Sequence, residues 1–119
     1  MSDKLQMSLK TEWFEMTKAG IKIEDYREIT PYWMKRLVHS CSCLPYYKPH
    51  ELNIAIEECP LGGFKEFKSN TMTLGYPKKG DTERIIEFEH AGIEIRTGNP
   101  AWGAESGKLY FVIKHGNRL

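Results

Sequence analysis

The stretch "AGIKIEDYREI", Ala19 to Ile29, decides how the chain is read. As a strand it sends alternate residues to opposite faces. One face then carries Ile21, Ile23, Asp25, Arg27 and Ile29, and the other carries Lys22, Glu24, Tyr26 and Glu28. The isoleucine face is the one expected to turn inward, and it takes an acid and a base with it. Two readings follow. Asp25 and Arg27 form an internal ion pair, in which desolvation offsets much of the Coulomb gain. Alternatively, the strand lines a cleft where the charged pair grips a polar ligand. Arginine suits the second role, because its donor fork matches a phosphate or a base edge. Lys22 follows Gly20 at the entrance of the strand, where a bulge would bring its amine to the rim of the same cavity.

The flanks place this strand between two helices. "LQMSL" (Leu5 to Leu9) alternates as a short first strand. "TEWFEMTKAG" has Trp13, Phe14, Met16 and Thr17 at three-and-four spacing and Gly20 as a stop, which predicts a helix. "TPYWMKRLVH" predicts a second helix that ends near His39, with Thr30 as N-cap and Pro31 at the first helical position. Its apolar stripe is Trp33, Met34, Leu37 and Val38, with Lys35 and Arg36 facing water. From Ser40 to Glu51 the composition is that of a loop, and "ELNIAIEE" and "TMTLGY" read as strands around "CPLGG". "RIIEFEHAGIEIRTG" is one long strand, or two joined at Ala91-Gly92. "KLYFVIKHG" is almost continuously apolar, the pattern of a central strand covered on both faces. Five or six strands with two early helices make an α+β protein, with short strands favouring a curled sheet or small barrel.

The bulk numbers fit that class. At 119 residues and 13.8 kDa, residues 1–119 are expected to form one domain. Hydrophobic residues at 40% and charged residues at 28% are ordinary for a folded chain and argue against disorder. A formal charge of +1 means that any contact with nucleic acid must come from a local patch. "MSDKLQMSLK" lacks the apolar run of a signal peptide, and no segment is long and apolar enough to span a membrane. A soluble, cytoplasmic protein is expected. Cys41, Cys43 and Cys59 are an odd number, which argues against a disulfide framework. His39 and His50 lie near them, but one residue between Cys41 and Cys43 is short of zinc spacing. No metal and no cofactor is expected.

The motif Gly20-x-Lys22-x-x-Asp25-x-Arg27, set between the two helices, resembles the signature of the ASCH domains. "EWFEMTKAG" before it, "YREITPYWMKRL" after it and "NPAWGAESGKLYFVIKHG" near the end are similar to a phage- and prophage-type branch, so the resemblance spans nearly the whole chain. It implies a small PUA-like β-barrel and recognition of RNA or a nucleotide through Lys22, Asp25 and Arg27. Relatives in the wider superfamily include an amidohydrolase that removes the acetyl group of N4-acetylcytidine with a lysine, a threonine and a glutamate. The lysine corresponds to Lys22. The threonine position holds Asp25, so the hydroxyl is absent, and Glu105 is the carboxylate available in place of the glutamate. A carboxylate beside Lys22 keeps its proton in place, which favours binding over hydrolysis.

Two further constellations are candidates for a binding site. Lys35, Arg36, His39, Tyr46, Tyr47, Lys48 and His50 combine cations with paired tyrosines, and Tyr47 is a candidate to stack an unpaired base. Each group serves equally as a solvated helix face and an anchored loop. In "NPAWGAES", Trp102 has glycines around it and forms either a platform at a cleft edge or a lid over the core, with Glu105 as the nearest carboxylate.

Overall fold

Clean alternation opens the chain. In the computed structural model, which describes residues 4–38, 63–75, 77–78, 80–81 and 83–119, strand β1 spans Lys4–Leu9. Leu5, Met7 and Leu9 are buried and the residues between them are exposed. Helix α1 follows at Thr11–Lys18 and buries Phe14 and Thr17, with the Thr17 hydroxyl donating to the Trp13 carbonyl at 2.7 Å. Strand β2 is Glu24–Arg27 and helix α2 is Pro31–Leu37. The expected cap is present, since the Thr30 hydroxyl accepts from the Trp33 amide at 3.3 Å and Pro31 opens the helix.

Strand β3 is Ser69–Leu74, β4 is Ile85–Thr97 and β5 is Leu109–Arg118, with a 3-10 turn at Pro100–Trp102 between the last two. The five strands form one mixed sheet in the order β1-β3-β4-β5-β2. β1 runs parallel to β3, with Leu5 opposite Asn70, and β3 runs antiparallel to β4, with Asn70 opposite Phe88. β4 is a single strand of 13 residues, and Gly92 lets it pass through a φ of +114° that other residues rarely adopt. β5 buries Tyr110, Phe111, Val112 and Ile113 in succession, as a central strand should. Among the described residues the α+β class, five strands and two helices agree with the five or six strands and two helices read from the sequence. The loop from Ser40, the strand at "ELNIAIEE", Tyr47, His39, His50 and the cysteines lie outside the described residues.

Packing divides the chain into two compact units. The first comprises Met1–Asp25, Glu66–Gly92 and Ile113–Leu119, and the second Tyr26–Lys65 and Ile93–Val112. The first has β1, α1 and β3, and α1 packs on β3. The second holds α2, where Leu37 is fully buried and Val38 bridges to Phe64. Its other cluster is Ala104, Tyr110 and Val112, with Tyr26 packed against it.

One stretch departs from its expected register. Ile21 and Ile23 are 57% and 56% exposed, whereas Lys22 and Glu24 are buried. The strand was expected from Ala19 but begins only at Glu24. Ala19 caps α1, Gly20 takes a φ of +78°, and its amide donates to the Thr17 carbonyl at 3.1 Å. The amides of Ile21 and Lys22 both turn back to the Met16 carbonyl, at 3.0 and 3.1 Å. This is a Schellman ending, which uses the backbone of residues 20–22 to close the helix. The closing of the helix therefore sets which way Ile21 and Lys22 point, and β2 itself buries Glu24 and Asp25 in succession. No helix among the described residues is long and apolar enough to cross a membrane.

Gly98 tests the packing of the second unit. A Cβ there would lie 2.6 Å from the Ala104 Cβ and 2.8 Å from two ring carbons of Tyr26. Tyr26 is pinned, because its hydroxyl accepts from the Asn99 amide at 2.8 Å. Gly98→Ala is expected to destabilise by about 1–3 kcal/mol through overpacking. Thermal melting should register a drop of roughly 3–6 °C for each kcal/mol. An unchanged melting temperature would show that Tyr26 and Ala104 yield without cost.

Candidate functional site

The ending of α1 delivers Lys22 into the interior of the first unit. Its side chain is 1% exposed, and its Nζ donates to the Glu24 carbonyl at 2.6 Å and to Asp25 Oδ1 at 3.1 Å. Lys22 is therefore at the floor of the cluster, not at a rim. Asp25 is buried as expected, and Glu24 is buried beside it. A buried lysine and carboxylate are tolerated only as a hydrogen-bonded pair, since either alone carries a desolvation cost of several kcal/mol.

Asn70 organises the remainder. It is fully buried, and its Nδ2 lies 3.1 Å from the Lys114 carbonyl and 2.8 Å from His115 Nδ1. Its Oδ1 lies 2.6 Å from His90 Nδ1. A carbonyl only accepts, so the contact with Lys114 identifies the amide nitrogen of Asn70. Hydrogen-bond logic then assigns the two imidazoles. His90 carries its proton on Nδ1 and donates to Asn70. His115 accepts at Nδ1 from Asn70, which leaves its proton on Nε2. That Nε2–H is buried and has no protein partner among the described residues. The His115 amide also donates to the Ile23 carbonyl at 3.1 Å, tying β5 to the segment that bears Lys22.

Burial, the largest cause, pushes His115 down from the usual 6.5 to about 4, with Lys22 and His90 acting the same way and Asp25 and Glu24 opposing. Burial also lowers His90, assisted by the charge of Lys114. Both rings are packed edgewise or tilted against phenylalanines, His90 on Phe67 at 5.4 Å and His115 on Phe88 at 5.5 Å. At neutral pH the cluster thus holds one lysine, two carboxyl side chains and two neutral imidazoles. It offers a buried N–H donor within electrostatic reach of Asp25 and Glu24, without a surplus of positive charge.

The other expected site residues are in the second unit or outside the described residues. Arg27 is half-buried, with its guanidinium carbon 4.9 Å from the centre of the Trp33 ring. Trp102 ends the 3-10 turn, which Asn99 caps by accepting from the Ala101 amide at 2.9 Å. Glu105 is exposed, and its amide donates to the Tyr110 hydroxyl at 2.9 Å. So Lys22 and Asp25 come together, while Arg27, Trp102 and Glu105 belong to a different unit. Asn70, His90 and His115 were not singled out in the sequence. One signal was present: asparagine is depleted in strands, yet Asn70 sits inside "SNTMTL".

The neutral His115 makes stability depend on pH in a defined direction. Below 6.5 the unfolded chain takes up a proton at this position, and the folded chain does not until about 4. Stability therefore falls as pH drops through that window, by about 2 kcal/mol from this residue at pH near 5. Urea unfolding of the wild type and of His115→Leu, compared between about pH 7 and about pH 5, should show a shallower loss in the variant. Equal slopes would mean that His115 protonates freely in the folded state.

No family model, curated protein or solved structure matches the chain, so the chemistry of the site rests on the residues themselves.

Proposed function

We propose that this chain is a cytoplasmic nucleotide- or RNA-binding module of the ASCH type, from its phage- and prophage-type branch, whose five or six strands close as a PUA-like barrel. The observation that carries this reading is the buried His115 Nε2–H, in a ring that feels the charges of Lys22, Asp25 and Glu24. A ligand carbonyl would accept from that N–H, and the carboxylate side of the cluster would accept from a ligand N–H. Paired donor and acceptor groups of this kind match the edge of a nucleobase. A phosphate fits the cluster less well, because Glu24 and Asp25 outnumber the one lysine. The base, not the phosphate, is thus the group recognised in the first unit. Motif geometry supports the family reading, since Gly20 occupies the left-handed position that only glycine adopts readily and so aims Lys22 at Asp25.

The competing reading is a small amidohydrolase acting on an acylated nucleoside such as N4-acetylcytidine, with Lys22, Asp25 and Glu105 as its catalytic residues. It needs Lys22 as a base. The Lys22 amine donates to the Glu24 carbonyl and to Asp25 Oδ1, and residue 25 is an acid where that reaction calls for a hydroxyl. Binding is therefore the preferred reading.

Titration of cytidine, uridine, adenosine and guanosine against the folded protein tests it. At least one nucleoside should bind, and Lys22→Met with Asp25→Leu should weaken it about 10- to 150-fold, the equivalent of one charged hydrogen bond. The double change removes both charges, whereas Lys22→Met alone strands Asp25 and should cost about 3–5 kcal/mol of stability. Equal affinity in wild type and double variant would remove this cluster from recognition. Cleavage of N4-acetylcytidine by the wild type, abolished in Lys22→Met, would establish the hydrolase instead.

A further inference from the structure

The turn that buries Lys22 also has an outer side. Ile21 and Ile23, before and after the lysine, are 57% and 56% exposed. Neither sits on a loose end. The Ile21 amide donates to the Met16 carbonyl at 3.0 Å, and the Ile23 carbonyl accepts from the His115 amide at 3.1 Å. Two β-branched side chains are thus held in water by backbone bonds, with little freedom left to lose on contact. Exposed apolar side chains scattered singly are ordinary on a surface. A fixed pair, two residues apart, is the start of a contact.

The surroundings define what this contact can accept. The outer face of α1 presents Thr11, Glu12, Glu15 and Lys18, all exposed. Arg118 joins it at the C-terminal end, where its guanidinium donates to the Lys18 carbonyl at 3.4 Å. The acids therefore lead the face, and the bases close it where the chain turns into Ile21 and Ile23. All of these residues belong to the first unit. A purely acidic partner would be repelled by Glu12 and Glu15, and a purely basic one by Lys18 and Arg118. A helix face with acid at one end and base at the other is complementary to itself turned end for end, which is the requirement of a two-fold contact. Antiparallel helices also bring opposite ends of their dipoles together.

We propose that this face is where two copies of the chain associate. Their α1 helices run antiparallel about a two-fold axis between Glu15 and Lys18. Each Glu15 then meets Lys18 of the second copy, while Ile21 and Ile23 supply the apolar contact. A patch of this extent suits a weak, concentration-dependent dimer rather than an obligate one. The association is separate from nucleoside recognition, because it uses the outer side of the turn and leaves the Lys22 amine in its buried place.

Sedimentation equilibrium from about 5 to about 500 μM tests the proposal, the range in which a weak dimer forms. The average mass should climb from 13.8 kDa toward twice that value. Ile21→Ser with Ile23→Ser should weaken association at least about tenfold, as the loss of the central apolar contact in both copies requires. Glu15→Lys and Lys18→Glu should each weaken it about tenfold, since a single reversal sets like charges against each other twice in a symmetric contact. The double change Glu15→Lys with Lys18→Glu should restore the wild-type constant, the signature of a direct pair. All four positions are exposed, and a thermal melt confirms the fold of each variant. A mass that stays at 13.8 kDa throughout, or charge reversals that the double change fails to rescue, would overturn the proposal. So would binding to phosphatidylserine vesicles that the isoleucine changes abolish in a chain that does not self-associate, because the occupant would then be a lipid surface.

Discussion

The amine of Lys22 has to be satisfied inside the first unit, and much of the local structure answers that demand. It donates to the Glu24 carbonyl and to Asp25 Oδ1, two and three residues further along. This geometry is set up by Gly20, whose left-handed turn lets the Ile21 and Lys22 amides close α1 on the Met16 carbonyl. The chain leaves the helix with Lys22 pointing in and Ile21 pointing out. A charge so buried would be prohibitive without its carboxylate partner. The glycine, the lysine and the acid therefore act as one device: a turn, a buried donor and its counter-charge.

The polar interior continues into the sheet through Asn70. A neutral amide that donates twice and accepts once fixes the proton positions of two histidines, and burial keeps the His115 ring uncharged. Protonating His115 would bring its Nδ1–H against the Asn70 N–H, so geometry and desolvation agree. The consequence for function is a donor and acceptor surface with little net positive charge. The second unit has the opposite character on α2, where arginines crowd an indole beside an exposed tyrosine.

Several elements were readable from local pattern because local physics decides them. Leu5, Met7 and Leu9 alternate and are buried in β1; Thr30 and Pro31 begin α2; the apolar run from Tyr110 to Ile113 is a covered strand. Burial of Asp25 was also anticipated, and so was the special place of Lys22, although its depth was not. The reversed exposure of Ile21 and Ile23 had a different cause. An extended stretch and a helix ending share the same letters, and a Schellman turn sets the directions of Ile21 and Lys22 before the strand begins at Glu24. Arg36 is similar: its position on the helix suggested a solvated cation, and it lies over the Trp33 ring.

By itself, the sequence determined the class of the fold, the order of its elements, the helix caps and the presence of a glycine–lysine–acid motif. These depend on contacts within a few residues, where periodicity, capping and left-handed glycine geometry leave few alternatives. Tertiary structure alone decided that Asn70, His90 and His115 meet. They stand on three different strands, separated by up to 45 residues, and their pairing follows from sheet order rather than from any local signal. It also decided the charge state of His115, because desolvation is a property of everything packed around a ring and is absent from the identity of the residue.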